Sequence, residues 1–260
     1  MTALLVVAGV LGLAVGSFLN VVIHRVPRDE SLLPPSRCTR CRAAIKAWHN
    51  VPVLSWLALR GRCAQCRQPI SPRYPLVEAG TALLFVAVTA RFGVTLALLA
   101  YLYLAAIAVA LAIIDVEVRR LPDAIVLPSY AVSALLIISA GAAREDWWSA
   151  GRGLVAMAAL ATFYLALAVV YPGGMGMGDV KLAGLLGLYL GWLGWSSVWI
   201  GTLTGFVLGG LVGAGLMVTR RATRKTAIPF GPFMLAGAML ALFIAGPVTT
   251  WYASLVTPTA

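Results

Sequence analysis

Eight long apolar segments recur along this chain, and they constrain its fold more than any other feature. A helix that crosses a lipid bilayer needs about 20 apolar residues, whereas a barrel strand alternates over about ten. The sixth segment is the shortest and is rich in glycine. The pattern predicts an all-α polytopic membrane protein with about eight transmembrane helices. These lie near residues 2–24, 76–92, 94–114, 122–142, 151–171, 180–196, 198–218 and 231–254.

The composition excludes several other classes of protein. Of the 260 residues, 61% are hydrophobic and 11% are charged, whereas a soluble domain has about 25% charged residues. A soluble globular enzyme is therefore excluded, and so is a disordered chain, which requires low hydrophobicity. The net charge of +11 does not indicate nucleic-acid binding, because cationic loops are expected in a membrane protein and no base-reading motif is present.

The distribution of Lys and Arg predicts how the chain is oriented. Basic residues follow the first apolar segment, which favours a retained first helix rather than a cleaved signal. If the N-terminus is outside, 17 of the 20 basic residues fall in cytoplasmic loops, where Lys and Arg are enriched. Ten of them lie in residues 25–73, and the others are Arg119, Arg120, Lys181, Arg220, Arg221, Arg224 and Lys225. The outside loops carry only Arg91, Arg144 and Arg152.

All four cysteines fall in a basic, proline-rich insertion between the first two apolar segments. The pattern is Cys38-x2-Cys41 and Cys63-x2-Cys66, with 21 residues between the pairs. Each Cys-x2-Cys pair forms a turn called a knuckle, and two knuckles are typical of a structural Zn²⁺ site. A bound metal would stabilise this module, which is too small to bury a large apolar core. Two disulfides or free thiols are the alternatives, although a cytoplasmic loop disfavours disulfides. We expect three parts: a first helix (1–24), a four-cysteine module (25–75) and a membrane core (76–260).

Five of the nine acidic residues lie at or near the predicted cytoplasmic ends of apolar segments. Carboxylates near a bilayer are costly, so each is a functional candidate. These acids are Glu78, Asp115, Glu117, Asp123 and Asp179. Asp115 ends the third segment and Asp179 begins the sixth, so the predicted topology brings both to one side of the membrane. Two carboxylates held close together share a proton, and one acts as a base while the other acts as an acid. The pair therefore predicts aspartic-protease chemistry.

The residues around these acids have supporting or structural interpretations. Gly176 and Gly178 give a loop without bulk in front of Asp179, which permits close approach of an extended substrate. Asp123 follows Pro122 and is expected to cap the fourth helix, and Glu117 is expected to be solvated. Glu78 is expected to pair with a cation such as Arg73. We place Lys181 with Asp123, Glu78 and Arg73 in a supporting set.

Other hydrolytic chemistries fit the sequence less well. Ser17 and His24 are separated by about 10 Å along one helix, too far for a nucleophile and its base. The chain contains no HExxH pattern, so a zinc metalloprotease is not supported.

Taken in order, several segments resemble the bacterial type IV prepilin peptidases, also called leader peptidase/N-methyltransferases. The similarity runs over nearly the whole chain. The segments are GSFLNVVIHRVP (16–27), the four cysteines, SWLALRGRC (55–63), ISPRYPLVE (70–78), Asp115 with LPD (121–123), GMGMGDVKL (174–182) and IPFGPFMLAG (228–237).

The resemblance implies a GxGD-type aspartic endopeptidase of the bacterial inner membrane. Such enzymes cut the basic leader of prepilins and pseudopilins after a Gly at the cytoplasmic face, and many methylate the new N-terminus with S-adenosylmethionine. Asp115 and Asp179 match the family's catalytic aspartates, with Asp123 the competitor for the first. A cleavage-only enzyme and a non-enzymatic membrane scaffold with a zinc docking module remain alternatives.

Overall fold

The computed structural model describes residues 1–33, 35–38, 40–171, 173–221, 223, 226 and 228–256, and its described part is helical. The only extended pairing there consists of two isolated bridges, Arg37 with Ala44 and Arg62 with Pro69. Arg224 and Lys225, which were used to predict the orientation, lie outside the described residues. The helices are α1 (Thr2–Arg25), α2 (Leu54–Ala58), α3 (Arg73–Phe92), α4 (Leu96–Val118), α5 (Asp123–Ala142), α6 (Trp147–Val170), α7 (Met177–Leu193), α8 (Trp195–Val218) and α9 (Gly231–Val256).

The all-helical membrane fold is confirmed. Eight long helices coincide with the eight predicted apolar segments, and α2 is a single short turn within the cysteine module. Seven of the eight are long and apolar enough to cross a membrane. The exception is α7, which has 17 residues and corresponds to the segment that the sequence marks as shortest.

The chain divides within α4 into two compact units, Met1–Ala110 and Leu111–Ala260. The division into 1–24, 25–75 and 76–260 stays a prediction.

In the first unit, small residues allow α1 and α3 to pack closely. A Cβ on Gly12 would lie 2.6 Å from the Cα of Ala82, and one on Gly16 would lie 2.7 Å from the Cα of Glu78. Glycines at such positions let membrane helices approach backbone to backbone.

In the second unit, α7 is the central helix. Every residue from Leu182 to Trp192 is buried, and α7 contacts α5, α6, α8 and α9. A helix that is apolar all round belongs in an interior. Its glycines make the close packing possible: a Cβ on Gly187 would lie 2.5 Å from the carbonyl oxygen of Ala156. The burial of α7 fixes the position of its first turn, which carries Asp179.

Candidate active site

Asp115 lies in the last turn of α4 and is held by a backbone group from a distant part of the chain. Its side chain is buried, with 5% of the residue exposed. The backbone N–H of Gly231, the first residue of α9, donates to its Oδ2 at 3.1 Å. Because an N–H group that donates to a carboxylate restricts its orientation, the start of α9 positions this acid.

Asp179 lies in the first turn of α7 and is half-buried. Its Oδ2 accepts a hydrogen bond from the backbone N–H of Gly176, the residue that precedes the helix, at 3.1 Å. The positive end of the helix dipole also stabilises a carboxylate at this position. The glycine-rich segment in front of α7 therefore fixes the orientation of this acid as well as leaving space beside it.

The structure brings Asp115 and Asp179 together within the second unit. The two carboxylates are close enough to interact electrostatically. Leu121 packs against Gly178, which precedes Asp179, and against Gly231, which donates to Asp115. A Cβ on Gly178 would lie 3.2 Å from the Cβ of Leu121, and a Cβ on Gly231 would lie 3.4 Å from the Cδ2 of Leu121. Two acids that repel each other electrostatically do not both ionise easily, so one protonated and one ionised carboxyl group can coexist, which suits general acid–base chemistry on a carbonyl.

A row of aromatic side chains lies near Asp179 and the start of α9. Tyr164 is buried and interacts electrostatically with Asp179. Its ring stacks on Phe206 at a centroid distance of 5.7 Å, and Phe206 lies 5.1 Å from Phe230, the residue before Gly231. The row of rings therefore runs from the surroundings of Asp179 to the residue that precedes α9.

Three residues of this arrangement were missed by sequence reasoning: Gly231, Leu121 and Tyr164. Gly231 and Leu121 lie in segments that carry the family resemblance, IPFGPF and LPD, and those motifs were the available signal. Tyr164 is one aromatic residue in an apolar helix, and nothing in the local pattern distinguishes it from residues that face lipid.

Asp123 does not cap α5, so that expectation is wrong. Pro122 is the N-cap residue, and no side chain makes a capping hydrogen bond there. The carboxylate of Asp123 instead forms an ion pair with Lys181, whose Nζ lies 2.8 Å from Oδ1 and 2.9 Å from Oδ2. The reason is that Lys181, two residues after Asp179, reaches across from α7 and attracts the carboxylate. This ion pair ties the start of α5 to the first turn of α7 at a partly exposed position.

Glu117, Glu78 and Arg73 are the remaining charged residues that the sequence singled out. Glu117 is exposed, as expected. Glu78 belongs to the first unit, where its buried carboxylate accepts a hydrogen bond from the backbone N–H of Val53 at 2.7 Å. Its pairing with Arg73 stays a prediction.

The four cysteines converge on one point. Their sulfur atoms all lie within 4.8 Å of one another, and the Cys38 and Cys66 sulfurs are 3.8 Å apart. All four are free thiols, so disulfides do not link them. Backbone N–H groups of Cys41 and Arg40 donate to the Cys38 sulfur and lower the pKa of that thiol to about 6. The cluster can hold a metal ion, since metals bind the thiolate form.

The two knuckles share one backbone design. In each, the N–H of the first Cys donates to a carbonyl five residues later, Ala43 for Cys38 and Gln68 for Cys63. The carbonyl of that Cys accepts from the N–H four residues on, at Arg42 and Arg67, which both have a left-handed backbone. These turns direct the two sulfurs of each knuckle to the same side, which explains how a small module assembles four ligands.

Two family models match the chain. Residues 10–92 match the bacterial peptidase A24 N-terminal domain, and residues 102–257 match the type IV leader peptidase family. No solved structure matches the chain.

Named relatives are similar over most of their length. The prepilin leader peptidase/N-methyltransferase of Pseudomonas putida is 40% identical, over 90% of this chain and 88% of that protein. Its counterpart in Stutzerimonas stutzeri is 38% identical over 96% and 94%, and that of Aeromonas hydrophila is 38% identical over 92% and 90%.

Proposed function

The chain belongs to the type IV leader peptidase family, and on this premise we propose that Asp115 and Asp179 are the catalytic pair of its peptidase activity. The protein is a membrane protease that removes the leader of type IV prepilins, and it is also an N-methyltransferase. The observation that carries the proposal is that two acids 64 positions apart lie near enough to interact electrostatically, and each is held by a backbone N–H.

The catalytic step uses the two carboxylates in complementary roles. The ionised acid takes a proton from a water molecule, and the oxygen of that water attacks the carbonyl carbon of the scissile peptide. The protonated acid donates its proton to the carbonyl oxygen, which gives a tetrahedral gem-diol. When the C–N bond breaks, the acid that took the proton from water passes it to the leaving amine, and the other acid takes its proton back from a gem-diol hydroxyl. Hydrogen bonds from Gly231 to Asp115 and from Gly176 to Asp179 keep the two side chains in place. Pre-organisation of this kind lowers the barrier because no reorientation is needed during reaction.

The surroundings of the pair suit a prepilin or pseudopilin substrate. The leader is basic and is followed by a hydrophobic helix, which can lie beside the membrane helices in lipid. The glycines before Asp179 leave space for an extended backbone at the scissile bond, which follows a Gly in the substrate. The excess of Lys and Arg in the loops supports an inner-membrane orientation with the N-terminus outside and the acid pair and cysteine module at the cytoplasmic side.

For the cysteine cluster, we propose Zn²⁺ as the bound metal. Bonds of about 2.3 Å to four sulfurs in a tetrahedron place the sulfurs about 3.8 Å apart, as between Cys38 and Cys66. Four sulfurs leave no open position for water, so this ion has a structural role.

Purified protein is therefore expected to contain about one zinc per chain. Cys38→Ser and Cys66→Ser should each lose the metal and make residues 35–71 sensitive to protease, because the small module depends on its metal for folding. Metal analysis by mass spectrometry and limited proteolysis measure both effects. His49→Gln is the matched control, since His49 is a possible ligand outside the cluster. A metal-free wild type purified without chelators would contradict the zinc assignment.

The proposed function is tested by incubating the purified protein with a prepilin in detergent and S-adenosylmethionine. We expect loss of the leader, seen by mass spectrometry of the product, and the addition of one methyl group to its new N-terminus. A cleaved but unmethylated product would identify a cleavage-only enzyme. An unprocessed prepilin would leave the membrane scaffold as the better description.

A further inference from the structure

A cavity of the first unit lies at the C-terminal end of α1, among residues that the peptidase mechanism does not use. It has a volume of about 770 Å³ and is lined by residues between Ser17 and Glu78, from α1, the cysteine module and the first turns of α3. Pockets for drug-sized ligands measure about 300–1,000 Å³. We propose that this cavity is the binding site for the methyl donor, S-adenosylmethionine. The inference rests on the proposed N-methyltransferase activity.

Asn20 in the cavity wall has an unused hydrogen-bond acceptor. It is 3% exposed, and its Nδ2 donates to the carbonyl oxygen of Tyr74 at 3.1 Å. Its Oδ1 has no hydrogen-bond partner within the described residues. Buried polar atoms in folded proteins are nearly always paired. An amino or hydroxyl group of a ligand in the cavity would supply the missing donor, and S-adenosylmethionine carries both.

Trp56 gives the cavity a flat aromatic surface. Its indole N–H donates to the carbonyl oxygen of Ile70 at 3.1 Å, which fixes the plane of the ring. The ring also packs against Gly61. A Cβ on Gly61 would lie 2.8 Å from Cζ2 of the ring, so there is no space for a larger residue, and the left-handed backbone at this position (φ +66°) also favours glycine. A fixed indole suits stacking of an adenine or contact with a cationic sulfonium.

The charges along the cavity match the remaining groups of the donor. Glu78 is 8% exposed and held by the N–H of Val53, so its carboxylate is fixed in the wall. Arg25 and Arg73 also line the cavity. The donor carries one ammonium, one sulfonium and one carboxylate, and the wall offers a fixed anion and cations. An apolar lipid tail in the cavity would leave all of these charges unmatched. A phosphate would match the arginines but would be repelled by the carboxylate of Glu78.

The test measures binding of S-adenosylmethionine to the full chain in detergent, without substrate. Trp56→Leu should raise the dissociation constant by about tenfold, and Trp56→Phe should preserve most of the affinity because it keeps the aromatic face. Asn20→Ala should raise it by about fivefold through loss of one hydrogen bond. Trp48→Leu is the matched control, since Trp48 is exposed and lies outside the cavity lining. Isothermal titration gives the constants, and thermal unfolding checks that each variant is folded.

A second measurement needs no variant. Radiolabelled S-adenosylmethionine, cross-linked to the wild type by ultraviolet light, should label peptides within residues 17–78. Label confined to residues 111–260, or wild-type affinity in both folded Trp56→Leu and Asn20→Ala, would overturn the site while leaving the methyltransferase activity intact. A wild type that neither binds the donor nor methylates a cleaved pilin would instead refute the activity on which the site depends.

Discussion

Asp115→Asn and Asp179→Asn are each expected to reduce the rate of prepilin cleavage by roughly 1,000-fold or more. Each substitution removes one of the two groups that must exchange protons with water and the scissile peptide. Asn is close in shape to Asp and keeps a carbonyl oxygen that can accept from Gly231 or Gly176. The loss should therefore be in kcat, with membrane insertion and thermal unfolding near those of the wild type. Cleavage of a purified prepilin under single-turnover conditions measures the effect.

Two matched controls separate this chemistry from the loss of any acid at a helix end. Glu117 lies two residues after Asp115 and is exposed, so Glu117→Gln should cleave at the wild-type rate. Asp146 caps the start of α6, and its Oδ1 accepts from the backbone N–H of Ser149. Asp146→Asn keeps that acceptor and should also cleave at the wild-type rate. If Asp115→Asn cleaved normally while Asp123→Asn did not, the first catalytic acid would be Asp123.

Gly231→Ala is expected to reduce kcat for cleavage by about 100-fold. The new Cβ would lie 2.7 Å from Oδ2 of Asp115 and 3.4 Å from Cδ2 of Leu121. Either the carboxylate or the start of α9 must then move, and the hydrogen bond from the Gly231 N–H is disturbed. A displacement of this kind misaligns one acid relative to the other, although both remain present.

Gly246→Ala provides the control within the same helix, because nothing lies within 4 Å of a Cβ at that position. It should cleave at the wild-type rate. Comparison of kcat and KM for the two alanine variants distinguishes misalignment of the acid from a general effect of helix stiffening. A wild-type kcat in the Gly231→Ala enzyme would show that the backbone N–H at the start of α9 does not position Asp115.

Much of the fold was accessible from local pattern. The eight apolar segments predicted the long helices, and the boundaries of α1 and α5 differ from the prediction by one residue. The spacing of Cys38, Cys41, Cys63 and Cys66 likewise predicted a cluster that the structure assembles. These predictions succeed because bilayer thickness and the turns of a knuckle act over short stretches of chain.

The partners of the acids depend on packing between distant helices. Gly231 is 116 residues from Asp115, and Lys181 is 58 residues from Asp123. The pattern around Pro122 and Asp123 favoured a cap because local rules treat a helix start in isolation. An ion pair offered by α7 determined the position of that carboxylate instead, and no local rule contains that information.

The sequence by itself determined that the chain is a helical membrane protein, the order of its eight long helices to within a few residues, and that four thiols cluster; it also supplied Asp115 and Asp179 as the candidate acids. These properties follow from hydropathy and residue type, which each segment carries wherever it is placed. Only the tertiary structure decided that α9 holds Asp115, that Tyr164 lies near Asp179, and that a cavity with an unpaired Asn20 acceptor lies at the end of α1. Those contacts arise from close approach of helices at small residues, and the choice of partner helix is a property of the whole packed chain.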